Sequence, residues 1–290
     1  MQIIINILYN AFIFLVLSKS FEMIYRVMGF FHMAHAASLT FGAYLVFTGS
    51  ILLALPLWLS IVLSVTIVVV IMVLVNTGIY QPKMKRGIEG WKLMIASLGI
   101  YVILQNIVSL VWGDSTLTFR TWPVKPGNSI LGGIITDIQI ITITVSSMLL
   151  SVVWWMLERT NIGMSLKATA SNPTLSPIIG VKKDTVALYS MGIGSALMAC
   201  AGILIAADID MTPTMGFDWL MYGVVAMIIG GMGKIRYMVL GVLLLATAQQ
   251  LSAYFLDSKW MNATAYIILV IFLYFRPFGF SGKKLKKTEV

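Results

Sequence analysis

Charge is what this sequence has least of. Only 11% of its 290 residues are Asp, Glu, Lys or Arg, where a soluble domain carries about a quarter. That excludes an ordinary water-soluble protein. Cysteine is nearly absent as well. The single thiol, Cys200, excludes a disulfide framework and a thiolate metal cluster. Set in an apolar run, it reads as a small packed residue. Catalytic signatures are missing too. The nearest approach to a phosphate-binding loop, Gly233-Lys234-Ile235, lacks the hydroxyl residue and the upstream glycine that such a loop needs. ATP hydrolysis by that route is excluded. There is no H-E-x-x-H and no G-x-S-x-G. A membrane enzyme is therefore the weakest functional class, and no cofactor is expected. The first apolar run has no charged region before it, so no cleavable signal peptide is expected.

Apolar sequence is what the chain has in abundance. Hydrophobic residues make up 59%, and the mean hydropathy is +0.93. A transmembrane helix needs about 20 such residues, so the length predicts an all-α, polytopic helix bundle of about eight or nine spans. The apolar runs are continuous rather than alternating, which argues against a barrel. An open sheet is excluded because its edges go unpaired in lipid. Nine runs are legible, at about 3–18, 28–47, 51–75, 93–112, 130–157, 185–207, 224–233, 237–255 and 263–275. They leave no room for a second domain, so residues 1–290 read as one transmembrane domain.

If nine spans alternate in direction, seventeen of the twenty Lys and Arg residues fall on one face, and Arg120, Lys125 and Lys259 on the other. Positive charge marks the cytoplasmic side. This places the N-terminus outside and the C-terminus inside. It also accounts for the net charge of +9 without invoking nucleic acid. The acidic stretch Asp208 to Asp218 then faces outward. It reads either as a solvated hairpin or as a contact for an extracytoplasmic partner.

One polar stretch interrupts the apolar pattern on the inner face, from Glu158 to Asp184. Gly163 to Ala170 suits a short helix, because Leu166, Lys167 and Ala168 are good helix formers. Asn172-Pro173 has the pattern of a second helix start, and Gly180 that of a stop. Pro177 interrupts that second helix, with Ser176 as a candidate cap for a further turn. A short helix here is a docking element or merely a folded, solvated loop.

A second unusual stretch is Met28 to Tyr44, where Gly29, Ala34, Ala36, Ala37, Gly42 and Ala43 sit among apolar residues. Small residues allow close helix packing or a broken helix lining a cavity. In the second case His32, Met33 and His35, with Ala36 and Gly42, border a translocation path. His32 and His35 share a helix face, but no third metal ligand accompanies them. Bonds to backbone or water are the plainer role for such histidines.

Four blocks together resemble the permease subunits of branched-chain amino-acid ABC importers. They are V-M-G-F-F-H-M-A-H-A-A-S-L-T-F-G-A-Y from Val27, G-M-S-L-K-A-T-A-S-N-P from Gly163, T-P-T-M-G-F with G-G-M-G from Thr212 to Gly233, and R-P-F-G from Arg276. The resemblance implies cytoplasmic ATPase subunits, a second permease (the same or related), an extracytoplasmic solute-binding protein and a surrounding lipid bilayer. It also implies that Gly163, Leu166, Lys167, Ala168, Ala170, Asn172, Pro173 and Gly180 form the segment that docks on the ATPase. His32 stands where the family has Asn, Met33 where it has Phe, and Ala36 where it has Gly. K-I-R-Y-M follows Gly233 in place of a small-residue turn. These departures touch the solute more than the architecture, so urea, an amide or another small solute is an alternative to an amino acid. The functional alternative is an ion-coupled transporter or channel, with His35 or Asp137 as the coupling group.

Overall fold

The computed structural model describes residues 1–123, 127–130, 132–233, 235–276 and 279–281. Lys125, Lys234, Pro277, Phe278 and the tail lysines, which entered the charge count and the fourth block, lie outside the described residues.

The bundle is helical, as expected. Its helices are α1 (Gln2–Met28), α2 (His35–Phe47), α3 (Leu57–Val75), α4 (Gln81–Lys85), α5 (Gly90–Trp112), α6 (Asp137–Arg159), α7 (Asn161–Ser171), α8 (Lys183–Asp208), α9 (Met215–Gly230), α10 (Ile235–Phe255) and α11 (Met261–Phe275). Among the described residues, eight helical segments are long and apolar enough to cross a membrane, and α9 is a ninth, shorter apolar helix. Two π-helical turns, Thr48–Leu52 and Asn76–Tyr80, extend α2 and α3.

Helices α1, α2 and α8 form the centre, with α9 and α10 closing around α1. The window of α8 is 67% buried and that of α11 only 6%, so α11 lies on the outside. What lets the central helices approach is missing side chains. A Cβ on Gly42 would lie 2.7 Å from the Ala199 carbonyl oxygen, and one on Gly194 would lie 2.8 Å from Ile24. In lipid, such close backbone contact replaces the hydrophobic drive that water supplies to soluble cores.

Four boundaries differ from those expected. The first span was expected to end at about Ser18, followed by a short basic stretch with Lys19, Glu22 and Arg26. Instead α1 runs on to Met28 and ends on Gly29 at φ 76. The charges are tolerated because Glu22 pairs with Lys19 at i−3 and Arg26 at i+4. The second span was expected to start at Met28, as a closely packed or a broken helix, whereas α2 starts at His35. The chain is not helical between Gly29 and Ala34, where the Met33 amide finds the Ser97 hydroxyl of α5 at 3.0 Å. Irregular backbone survives at that depth only when protein satisfies it.

The fifth span was expected from Ile130. Residues 128–135 instead form a small hairpin, Asn128–Ile130 paired with Gly133–Ile135. Its turn runs through Gly132 at φ 78, a backbone angle that favours glycine. Gln2 of α1 pairs with Ile134 like a strand residue, accepting from its N–H at 2.8 Å and donating to its carbonyl at 3.0 Å. Helix α6 then starts behind a capping box of Thr136 and Gln139. Finally, α9 starts at Met215, not near Val224, so Asp218 lies in its first turn rather than in the acidic loop.

Candidate functional site

Helix α7 follows α6 after a single residue. Thr160 makes the break by accepting from the Gly163 amide at 3.1 Å, so one hydroxyl caps the new helix. The helix presents two faces. Gly163, Leu166 and Thr169, at three-residue spacing, are buried. A Cβ on Gly163 would lie 2.5 Å from Leu157 Cα, so this glycine lets α7 fold back on α6. Lys167 is pinned to Glu158 at 2.6 Å. Ala168 and Ala170 are half-buried.

Beyond α7 the second helix is absent. Asn172 caps a turn, accepting from Thr174 and Leu175 amides at 3.0 and 3.1 Å. The turn does not propagate, because Pro177 lacks the amide the next helical bond requires. A second turn brings Gly180 N–H to the Pro177 carbonyl and leaves Gly180 at φ 84. Ser176 is buried, and its hydroxyl reaches back to the Pro173 carbonyl at 3.5 Å instead of capping that turn. Pro173 is half-buried. This fold turns apolar side chains outward, beyond the ends of the spans. Met164 is 59% exposed, Leu175 55%, Ile178 77% and Ile179 70%. Sequence reasoning had named the residues that anchor this segment, not those it displays. The pair Ile178-Ile179 between Pro177 and Gly180 was the available signal, since isoleucine rarely sits on a turn without a partner.

Next to the buried face of α7 lies a charged cluster on α1. The Glu22 side chain is fully enclosed. It accepts from Lys19 Nζ at 2.7 Å, from the Gly233 amide at 2.8 Å and from Arg26 at 3.5 Å. The carboxylate therefore ties α1 to the turn between α9 and α10.

The histidines lie deeper. The single Ser20 hydroxyl proton reaches the Gly194 carbonyl at 2.8 Å, so His35 Nε2 is the donor in its 2.6 Å contact with Ser20 Oγ. That leaves His35 Nδ1 as an acceptor with no protein partner among the described residues, and both His32 nitrogens are equally without one. Tyr80 stands edge-on to His32 at 4.9 Å. Its hydroxyl, and the Asn76 amide one π-turn earlier, also lack protein partners. His32 and His35 are wholly buried, and Met33 is half-buried. Ala36 sits under Gly216, and Gly42 against Ala199. In this conformation, then, the small residues pack helices while the histidines hold unpaired polar atoms.

At the opposite end, the acidic loop is not a free hairpin. Leu117 and Met211 pair as a short antiparallel bridge. Arg120 donates to the Asp208 carbonyl at 2.9 Å and to the Asp210 carboxylate at 2.5 Å. Asp137 begins α6 and accepts from Asn128 at 3.1 Å.

The model of the family described as "Branched-chain amino acid transport system / permease component" matches residues 3–275. BraD of Pseudomonas aeruginosa, a high-affinity branched-chain amino acid transport system permease protein, is 24% identical, covering 98% of this chain and 96% of its own. LivH of Escherichia coli strain K12, described in the same words, is 25% identical over 91% of this chain and 89% of its own. PsaBC from Streptococcus pneumoniae, solved in complex with a Fab, superposes with a TM-score of 0.54 at 13% identity, covering 96% and 93% of the two chains. That last likeness concerns the fold alone. With the family model running over nearly the whole length, this multi-pass membrane protein belongs to the family of branched-chain amino acid transport permease components.

Proposed function

We propose that the chain is the membrane-spanning permease subunit of an ABC importer. It moves a branched-chain amino acid or a similar small polar solute into the cytoplasm, using ATP hydrolysed by a separate subunit. The observation that carries this reading is the apolar surface of Met164, Leu175, Ile178 and Ile179 outside the spans, on a chain without a phosphate loop. An exposed apolar patch on a membrane protein, held clear of lipid by polar neighbours, is a protein contact. Its occupant is the ATPase, so the basic end is cytoplasmic, as the Lys and Arg bias also argues. Gly163, Leu166, Lys167, Ala170, Asn172, Pro173 and Gly180 shape and anchor this surface, with Ala168 at its edge.

The translocation path runs by the first block. Unpaired buried polar groups cost about 1–3 kcal/mol each, a cost that packing alone gives no reason to carry. His32, Met33 and His35 meet the solute when α2 moves, while Ala36 and Gly42 supply the close surfaces on which it moves. A second permease subunit, the same or related, completes the transporter. An extracytoplasmic binding protein delivers the solute to the end bearing Arg120 and Asp210.

The test is reconstitution of the chain with its ATPase, partner permease and binding protein in vesicles, followed by uptake of labelled leucine, urea and an amide. ATP-dependent uptake of leucine is expected. Uptake that survives ATP depletion but collapses with the ion gradient would return the function to an ion-coupled carrier.

A further inference from the structure

We propose that the cavity between α1, α6, α7 and the α9–α10 turn is a binding site for a phosphate ester, filled by the headgroup of an anionic membrane lipid. The cavity measures about 540 Å³ and is lined by Lys19, Arg26, Lys167 and Arg236 against Glu22 and Glu158. Four cations therefore face two carboxylates. Both carboxylates are already engaged, Glu22 by Lys19 and the Gly233 amide, and Glu158 by Lys167. Arg26 holds Glu22 only at 3.5 Å. Arg236 makes no ion pair among the described residues. Arg236, together with the donors of Arg26 that Glu22 does not engage, is thus open to an anion, and the planar fork of arginine suits a phosphate. The N-terminal end of α10 opens into the same space at Ile235, and its positive end favours negative charge.

The remaining wall decides between sources. It is apolar and rises along α6 through Leu157, Val153 and Leu150. Leu150 lies nine residues before the end of α6, about 13.5 Å back along the spanning helix at the helical rise. Trp154, on the same wall, is 55% exposed at the edge, as aromatic side chains are at the membrane interface. A free phosphate has no use for that wall. A lipid has a phosphate for the arginines and an acyl chain for α6. The cavity also touches the buried face of α7 at Leu166 and Ala170, so an occupant braces the helix from the membrane side.

The experiment uses the full chain in mild detergent, offered equal amounts of phosphatidylglycerol and phosphatidylcholine, with retained lipid counted by native mass spectrometry. Preferential retention of one phosphatidylglycerol is expected. Arg236→Gln lowers that retention about tenfold, the worth of one lost charge-assisted hydrogen bond, and Arg236→Lys restores part of it. Arg26→Gln acts in the same direction. A parallel arm offers inorganic phosphate alone. Phosphate held by the native chain and lost in Arg236→Gln, with no lipid preference, supports the phosphate site and assigns it to a cytosolic ester. Equal retention of the two lipids by the native chain, with no phosphate held, overturns the proposal. That outcome needs no variant to fold, and it leaves the transport reading untouched.

Discussion

Glu22→Gln is the most informative single change. The substitution keeps the size of the side chain and removes its charge. In the native chain, Glu22 accepts from three donors, one on each of Lys19, Arg26 and the Gly233 backbone. An amide has one acceptor oxygen, and its NH2 group points a fourth donor into a ring of donors. Lys19 is 8% exposed and Glu22 1%, so water does not replace what is lost. Removing one partner of a buried pair costs about 3–5 kcal/mol, because the other charge stays buried and uncompensated. Loss of the Gly233 bond adds a second effect, since it frees the α9–α10 turn. The assay is equilibrium unfolding of the full chain in mixed micelles, followed by tryptophan fluorescence. Adding Lys19→Met should recover at least about 2 kcal/mol, since it removes the stranded cation. A Glu22→Gln chain within about 1 kcal/mol of the native one would refute the reasoning, because it would leave the carboxylate without a structural role.

The docking surface gives a sharper functional test. Ile178→Ser with Ile179→Ser should lower ATPase-subunit affinity about a hundredfold to ten-thousandfold, at roughly 1.5–3 kcal/mol for each of the two isoleucines. Unfolding of the permease should be unchanged, because both side chains are exposed; unchanged affinity would remove this surface from the contact. Gly42→Ala should destabilise by about 1–3 kcal/mol through overpacking against Ala199. Ala199→Gly should not rescue it, because the obstructing atoms belong to the Ala199 backbone; rescue would show that the clash lies elsewhere. At the far end, Arg120→Gln should cost under about 1 kcal/mol, as exposed pairs do. It should nevertheless speed labelling of Thr214→Cys by an impermeant thiol reagent added outside, in a Cys200→Ala background. Labelling only from the inside would invert the topology.

Much of the fold was legible because lipid imposes one strong rule, that backbone groups pair within a helix. Continuous apolar runs therefore marked the spans. The errors fall where a local rule met a distant partner. Lys19, Glu22 and Arg26 read as lying beyond the first span because charge ends a span in hydropathy. No local pattern shows that Glu22 neutralises both neighbours and also reaches Gly233 across more than two hundred residues. Residues 130–135 looked like the start of a span because their isoleucines are apolar. Their pairing with Gln2 at the other end of the chain is equally remote.

The site shows the same limit in a different form. Composition located α7, because Leu166, Lys167 and Ala168 favour a helix locally, while its cap, Thr160, was not read from the sequence. The direction in which a side chain points is set by what the helix packs on, and that is tertiary. Gly163 and Leu166 drew notice by belonging to a motif, yet the glycine is required by the Leu157 backbone above it. Ile178 and Ile179 were passed over as ordinary apolar residues in an apolar chain. In a soluble protein, two isoleucines on a turn would have stood out. Here 59% of the sequence is hydrophobic, so hydropathy no longer distinguishes a lipid-facing side chain from one held out in water for a partner. Only depth separates them, and depth is given by where α6 ends, by the single-residue break at Thr160, and by the proline that turns the chain outward at Pro177. The proposed docking surface is thus built from the same residue types that face the bilayer, which is why hydropathy passes over it.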